Sequence, residues 1–245
     1  MSLHQAPITT RVVLSPETEH DNPPLSKAAS LLAAGELLLH YLTRGKKPSA
    51  HDIRAAMEQA FGASDSSGQW VWKDSYDALE IAQLLFLRRY LPAMRKSAKT
   101  SSDVLTMLQK LGDLIPTHTR RSDESIALQQ FSTPLELAYI ASEAAATTRN
   151  DVVLEPSAGT GQLAIFAESM GASLVLNELS PTRADILATL FNTVVTQFNG
   201  EQIHDRLADA VQPTVIIMNP PFSASPNITG SMSGVDFRHV KSALN

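Results

Sequence analysis

The sequence contains no cysteine, so it has no disulfide framework and no cysteine-ligated zinc site. It also lacks a long apolar run: the longest, 31–42, is interrupted by Glu36 and His40 and is far short of the roughly 20 residues that cross a bilayer. No basic segment leads into an apolar stretch at the N-terminus, as it does in a signal peptide. These absences exclude cysteine redox chemistry and predict a cytoplasmic protein without a membrane span.

Two further signatures are missing. The seven histidines are scattered and show no His-x-x-x-His spacing, which argues against a metal site. There is no Gly-Lys-Ser/Thr sequence, so the chain has no phosphate loop for ATP. Metal-dependent hydrolysis and motor activity are therefore not expected of it.

Positive charge is also scarce: the formal net charge is −5, which argues against holding DNA by bulk electrostatics. The exception is the stretch 88–121, which carries eight Lys or Arg residues and two acids. Such a stretch is typical either of a solvated helix face with a polar connector or of a nucleic-acid contact surface. The sequence is compatible with both interpretations.

The first half of the chain has the pattern of a helical domain. Residues 1–24 include four prolines and predict an extended arm, whereas 25–116 has helical apolar spacing throughout. Ser49 is placed to cap the second helix. The predicted helices cover 25–43, 50–61, 74–91 and 102–111.

After a polar connector at 117–130, the pattern of 131–245 alternates between strand and helix. Thr133 is expected to cap a helix with Pro134 in its first turn, running to about residue 146. A weak third strand is expected near Ile203. The other strands are predicted at 152–155, 174–177 and 214–218, and the other helices at 162–170 and 183–192. Strands separated by helices predict an α/β fold with a parallel, doubly wound sheet.

A glycine-containing turn follows the first strand. Glu155, Pro156 and Ala158 lead into Gly159 and Gly161, where glycine lets a ligand approach the backbone at the carboxyl edge of a parallel sheet. Because the third glycine of a dinucleotide motif is absent, a smaller nucleoside ligand fits better. Without a ligand, the same pattern is that of an ordinary strand-to-helix turn.

Acidic residues follow the next two strands. Glu178 lies about 20 residues beyond the glycine turn and is suited to accept hydrogen bonds from an unphosphorylated ribose; otherwise it is a surface or capping acid. Asp209 is the candidate partner of an adenine amino group, with Asp205 as the competing candidate.

The predicted fourth strand leads directly into Asn219, Pro220, Pro221 and Phe222. Two prolines make this turn rigid and fix the direction of its carbonyl groups. Accepting both N–H bonds of an aryl amine with the Asn219 side-chain oxygen and the Pro220 carbonyl would favour a pyramidal nitrogen that can attack a sulfonium methyl group. Phe222 offers a flat face for an extruded base, or is simply buried. Asn219, Pro220, Pro221 and Phe222 are therefore the candidate catalytic residues.

These segments, together with Phe131, Thr133 and Pro134, resemble in order the motifs of N6-adenine DNA methyltransferases in which the cofactor motif precedes the catalytic one. The resemblance implies a Rossmann-like S-adenosylmethionine-dependent methyltransferase fold with S-adenosylmethionine as cofactor. By match, Phe131, Thr133 and Pro134 lie over its methionine part. The implied reaction is methyl transfer to adenine N6 of DNA.

The stretch 215–244 also resembles the methylase-like region found ahead of helicase domains in bacterial strawberry-notch-like proteins. This resemblance implies DNA and a helicase region of the same longer protein as partners. A complete methyltransferase of this kind has seven strands, so 131–245 is expected to be C-terminally incomplete, ending after its fourth strand. Transfer to protein glutamine or RNA guanine, or a noncatalytic module that binds nucleic acid or protein, are the alternatives.

Overall fold

The structure, a computed structural model, describes residues 25–116, 132–207, 211–220 and 235–244. The first half forms four helices: Lys27–Thr43 (α1), Ala50–Phe61 (α2), Asp74–Ser97 (α3) and Ser101–Gly112 (α4). The second half begins with Leu135–Ala145 (α5), Val152–Glu155 (β1), Ala164–Ser169 (α6), Ser173–Asn177 (β2) and Pro181–Phe191 (α7). It continues with Val195–Thr196 (β3), Ile203–Arg206 (α8), Val215–Ile216 (β4) and Val235–Leu244 (α9). Single 3-10 turns occupy Asp65–Ser67 and Gly200–Gln202.

Reciprocal caps explain where two of the N-terminal helices begin. The Ser49 hydroxyl accepts from the Asp52 N–H, and the Asp52 carboxylate accepts from the Ser49 N–H at 2.8 Å, confirming the predicted start of α2. Thr100 and Asp103 form the same box ahead of α4. The prediction that α3 ends at 91 is wrong: the helix continues through Pro92 to Ser97.

The predicted parallel sheet is confirmed. All three strand pairs are parallel, and the strand order is β3-β2-β1-β4. The sheet therefore grows outward from β1 in both directions, as in doubly wound folds. This order puts the carboxyl ends of β1 and β4 side by side, at the point where the direction of winding reverses.

The N-terminal helices pack directly against the α/β half. Helix α3 contacts α6, α1 contacts α7, and α4 contacts α5. One continuous apolar core joins buried residues of both halves, among them Leu84, Leu108, Phe166 and Leu187. Within the helical half, the indole of Trp70 is buried and donates to the Ala63 carbonyl at 2.7 Å, so this tryptophan belongs to the core.

Two predictions for the second half are wrong. The third strand does not lie near Ile203: it is the two-residue strand Val195–Thr196, and Ile203 begins the short helix α8. Ile203 is fully buried, so it carries an apolar signal that does not distinguish a strand from a short helix. Thr133 also does not cap α5, because the helix begins at Leu135 with Pro134 in the capping position.

The predicted fourth strand, 214–218, is shortened to two hydrogen-bonded residues, Val215 and Ile216. They pair with Val153 and Leu154 of β1, and beyond them the Ile217 N–H still donates to the Leu154 carbonyl. The predicted arm at 1–24, the connector at 117–130 and Phe131 lie outside the described residues. No helix in the part of the chain that the structure describes is long and apolar enough to span a membrane.

Candidate cofactor and amine site

The candidate site lies where the carboxyl ends of β1 and β4 meet. Ligands of doubly wound sheets bind outside these strand ends, at the reversal of strand order. The glycine turn follows β1, and Asn219 lies three residues beyond β4. The sheet topology therefore brings together two segments that are far apart in the sequence.

The glycine turn requires its glycines. Gly159 and Gly161 have φ values of 58° and 102°, a region that residues with a Cβ rarely adopt. A Cβ on Gly161 would lie 2.5 Å from the Phe191 ring, whereas the same position on Gly159 faces open space. Gly161 is needed because Phe191 packs against it. Gly159 leaves the backbone of the turn accessible to a ligand.

Glu178 lies directly beside this turn. One carboxylate oxygen accepts the Gly159 N–H at 2.8 Å and the other accepts the Ser180 N–H at 2.9 Å. The side chain is buried, and burial raises the pKa of Glu178, while Ser180, Arg183 and Gly159 pull that pKa down. Each oxygen keeps a second lone pair with which it could accept a ligand hydroxyl.

Glu155, at the end of β1, is buried more deeply. Burial raises the pKa of its carboxyl well above the usual range, and the nearby Glu178 raises that pKa further. The hydrogen bond from the Ala164 N–H lowers the pKa, but by less. Within the described residues, Glu155 Oε2 and both amide atoms of the buried Gln162 have no hydrogen-bond partner. Buried polar atoms of this kind are normally satisfied in a protein, which fits a polar ligand bound beside the turn.

Asn219 is held by a residue from the other side of the site. Its side-chain Nδ2 donates to Thr133 Oγ1 at 3.0 Å. Because the amide nitrogen is engaged there, the Oδ1 atom is the end of the Asn219 side chain that a donor can approach. The Thr133 segment and the Asn219 turn thus form one unit.

A cavity of about 460 Å³ opens beside this pair, within the size range of small-molecule sites. Its walls come from the segment before α5, α5 itself, the residue before α6 and the chain that follows β4. The lining residues are Ser132, Thr133, Pro134, Leu137, Ala141, Leu163, Met218 and Asn219. The cavity is mainly apolar, and its polar side chains are those of Ser132, Thr133 and Asn219, so it suits a flat, largely apolar group with a polar edge.

Asn177 braces the strand ends behind the turn. Its Nδ2 donates to the carbonyls of Pro156 and Phe198, both at 2.9 Å, and its Oδ1 accepts from Thr196 Oγ1 and the Phe198 N–H, both at 2.8 Å. This role was not predicted from the sequence, although an amide at the end of an apolar strand was a usable signal. The brace fixes Pro156 and Ala158 beside β2, since Ala158 N–H also donates to the Asn177 carbonyl.

A second group that the sequence analysis missed comes from helix α3. Thr160 Oγ1 donates to Glu80 Oε2 at 2.5 Å, and both side chains are buried. Arg183, also buried, forms an ion pair with Asp77 at 2.7 Å. The signal was a glutamate flanked on both sides by pairs of apolar residues, 78–79 and 81–82, all of them buried. A buried acid needs a polar partner.

Some candidate residues are not placed by the structure. Four of them lie outside the described residues: Phe131, Asp209, Pro221 and Phe222. Pro220 is the last residue described before 221–234. Asp205, the alternative to Asp209, lies on α8 with its carboxylate 3.2 Å from His204 Nε2. Across the described ranges, no group of three or more His, Asp or Glu side chains is arranged to hold a metal ion.

No family model matches the chain, and no curated protein matches it. Among solved structures, the chain is similar to the crystal structure of PH1948, a proposed RNA methyltransferase from Pyrococcus horikoshii. The two are 21% identical, with a TM-score of 0.40, over 59% of this chain and 68% of that one.

Proposed function

We propose that this chain binds S-adenosylmethionine and transfers its methyl group to an exocyclic amino group, adenine N6 of DNA being the first acceptor to test. The observation that carries the proposal is the position of Asn219. Its side chain is tied to Thr133 and lines the cavity, together with Leu163, which lies two residues after Gly161. Acceptors at such a place suit an aryl amine better than a hydroxyl or a thiol.

The residues around the glycine turn fit the proposed cofactor. The Gly159 backbone is open to an approaching ligand, and Glu178 has accepting capacity for the two ribose hydroxyls. Glu155 Oε2 and the Gln162 amide offer further acceptors and donors. When bound, S-adenosylmethionine supplies an electrophilic methyl group on a positively charged sulfur.

The chain's own part in the reaction is to bind and orient the amine. Asn219 Oδ1 and the Pro220 carbonyl accept its two N–H bonds, which favours a pyramidal nitrogen with its lone pair directed at the methyl group. The apolar walls at Leu137, Leu163 and Met218 hold the flat ring and exclude water. No strong base is needed in this scheme, because the proton leaves after the nitrogen has become positively charged.

DNA is proposed as the acceptor because of the resemblance to N6-adenine methyltransferases and the basic stretch 88–121. A helicase region in the same longer protein is the partner that the second resemblance suggests. Both assignments depend on sequence, so acceptor screening should include RNA and protein as well as DNA.

The first test is calorimetric titration of S-adenosylmethionine into the wild-type chain and into Glu178→Ala. We expect the substitution to weaken binding about tenfold or more, because hydrogen bonds to a charged acceptor are lost. Asp185→Ala, an exposed acid on the following helix, is the matched control and should bind normally. Absence of binding by the wild-type chain would refute the proposal.

The second test measures transfer of a labelled methyl group to DNA, RNA and protein, with N6-methyladenine identified by mass spectrometry. Asn219→Ala should bind the cofactor normally and transfer at least about a hundredfold more slowly, because it removes an acceptor that acts on the reacting amine. Cofactor binding without transfer to any acceptor would instead support a noncatalytic module.

A further inference from the structure

We propose that Glu80, on helix α3 of the N-terminal half, is a positioning residue for the glycine turn. The inference rests on the proposed function, since the turn is where the cofactor is expected to bind. It gives the N-terminal helices a role in the site, which no motif in that half indicates.

The contact joins two parts of the chain that are 80 positions apart. Thr160 Oγ1 donates to Glu80 Oε2 at 2.5 Å, and the two residues are 1% and 3% exposed. Thr160 is the only residue with a side chain between Gly159 and Gly161. Helix α3 therefore holds the turn through the side chain of its central residue, Thr160.

Such an anchor matters because glycines do not fix a backbone by themselves. Both flanking glycines have positive φ values and could adopt other conformations at little steric cost. The Gly159 N–H must nevertheless point at Glu178, to which it donates. The hydrogen bond from Thr160 to Glu80 restricts the rotation of the two adjacent peptide groups. The turn is therefore held in the conformation in which the Gly159 N–H donates to Glu178.

Arg183 extends the same arrangement to Glu178. Its guanidinium is buried and paired with Asp77, one helical turn before Glu80 on α3. The positive charge of Arg183 also lowers the pKa of Glu80 and of Glu178, although burial, the largest influence, raises both. One buried cation thus stabilises acids on α3 and the acid proposed to bind ribose.

The test is a double-mutant cycle on the full chain, with the S-adenosylmethionine Kd as the readout. Glu80→Ala removes the acceptor, and with it the hydrogen bond that Glu80 also makes with Ser132, whereas Thr160→Val removes only the donor. Each should weaken binding about tenfold, because each breaks the buried hydrogen bond to the turn. Since Glu80→Ala already lacks that bond, adding Thr160→Val to it should weaken binding no further. Multiplied losses would overturn the proposal.

Two conservative variants separate positioning from general damage. Thr160→Ser keeps the donor and Glu80→Gln keeps an acceptor, so both should bind within about threefold of the wild-type chain. Ser169→Ala is the matched control: it removes the bond from Arg95 at the other end of α6 and should leave the Kd unchanged. A tenfold loss in this control would overturn the proposal by showing that any α3 contact affects binding.

Hydrogen–deuterium exchange without cofactor makes the outcome independent of the proposed function. We expect the amides of 157–163 to exchange about tenfold faster in Glu80→Ala and in Thr160→Val, but not in Ser169→Ala. Unchanged exchange would overturn the positioning role even if the wild-type chain binds the cofactor. Faster exchange in a chain that does not bind S-adenosylmethionine would support the anchor and refute only the proposed function.

Discussion

Thr133 Oγ1 accepts a hydrogen bond from Asn219 Nδ2 at 3.0 Å, although the two residues are 86 positions apart. The sequence resemblance gave Thr133 a place over the cofactor, and the structure places its hydroxyl on the proposed catalytic amide. The contact selects which end of the Asn219 side chain faces a donor. Thr133 could therefore contact the cofactor or orient the Asn219 amide, and these two roles predict different kinetic effects of substitution.

Thr133→Val should lower kcat about tenfold while changing the cofactor Kd less than about threefold, because the Asn219 amide loses its fixed orientation. Thr133→Ser retains the hydroxyl and should retain most of the activity. Steady-state methyl transfer combined with calorimetry separates the two constants. A weaker Kd with normal kcat would show that Thr133 acts on the cofactor and not on Asn219.

The positions of Asn219 and the glycine turn after strands β4 and β1 could be predicted from the sequence. The apolar pattern of a strand is local in the sequence, and binding at the strand ends is a general property of parallel sheets. Thr133 was predicted to cap a helix, because the capping pattern is local in the sequence. Its actual hydrogen-bond partner, Asn219, is distant in the sequence. Glu80 was overlooked for the same reason: its partner, Thr160, lies in the other half of the chain. Long-range polar pairs are the part of this site that one sequence does not reveal.

The third strand failed for a different reason. Val195–Thr196 pairs only two residues with β2, which is too short to produce an alternating pattern. Ile203 gave a stronger apolar signal because it is buried in the short helix α8. Burial, not strand formation, was therefore what the local pattern reported.

Gly159 and Gly161 should differ sharply on substitution by alanine. Gly159→Ala costs only the strain of a left-handed alanine, about 1–2 kcal/mol, because open space surrounds the added methyl group. Gly161→Ala adds a collision with the Phe191 ring and should cost more than about 3 kcal/mol. Urea unfolding measures both free energies. Equal losses would show that the ring moves aside.

Glu155 should make the protein less stable as pH rises. Burial raises its folded-state pKa above the usual 4.5, so the carboxyl ionises more readily in the unfolded chain. The contribution to stability is complete below about pH 4.5 and is lost as pH rises through the folded-state pKa. Glu155→Gln should flatten this part of the curve, measured as the unfolding free energy at several pH values.

Asp151 provides a control of opposite sign for that experiment. Hydrogen bonds from the Thr148 and Thr214 side chains, and from the Thr148 backbone, lower its pKa. Its stabilising effect is therefore present above the unfolded pKa and lost as pH falls through the folded one. Asp151→Asn should change the acidic side of the curve and leave the Glu155 region unaltered; the same change from both variants would disprove the assignment.

Asn177→Asp should destabilise the sheet by about 3 kcal/mol, because it removes two donated hydrogen bonds and brings a carboxylate against the Pro156 and Phe198 carbonyls. The exposed Asn150→Asp is the matched control and should change the unfolding free energy by less than about 0.5 kcal/mol. Thermal and urea unfolding report both. A small effect at Asn177 would mean that the strand ends hold together without this brace.

The charges of the basic stretch 88–121 are not equivalent in the structure. Arg88 is paired with Glu168 at 2.8 Å, and Arg95 donates to Ser169, so these two arginines hold α3 against α6. Lys96 and Lys99 are exposed. If this stretch contacts DNA, the exposed lysines and not the paired arginines supply the phosphate contacts.

Replacing both Lys96 and Lys99 by glutamine should then weaken DNA binding about tenfold and reduce the slope of log K against log salt by about 2, one for each lost phosphate contact. The double substitution of Arg206 and Lys241, two exposed cations on α8 and α9, changes the net charge equally and should leave that slope unaltered. Fluorescence anisotropy at several salt concentrations measures both. Equal losses from the two pairs would mean that net charge alone governs binding, and the stretch would then be an ordinary solvated helix face.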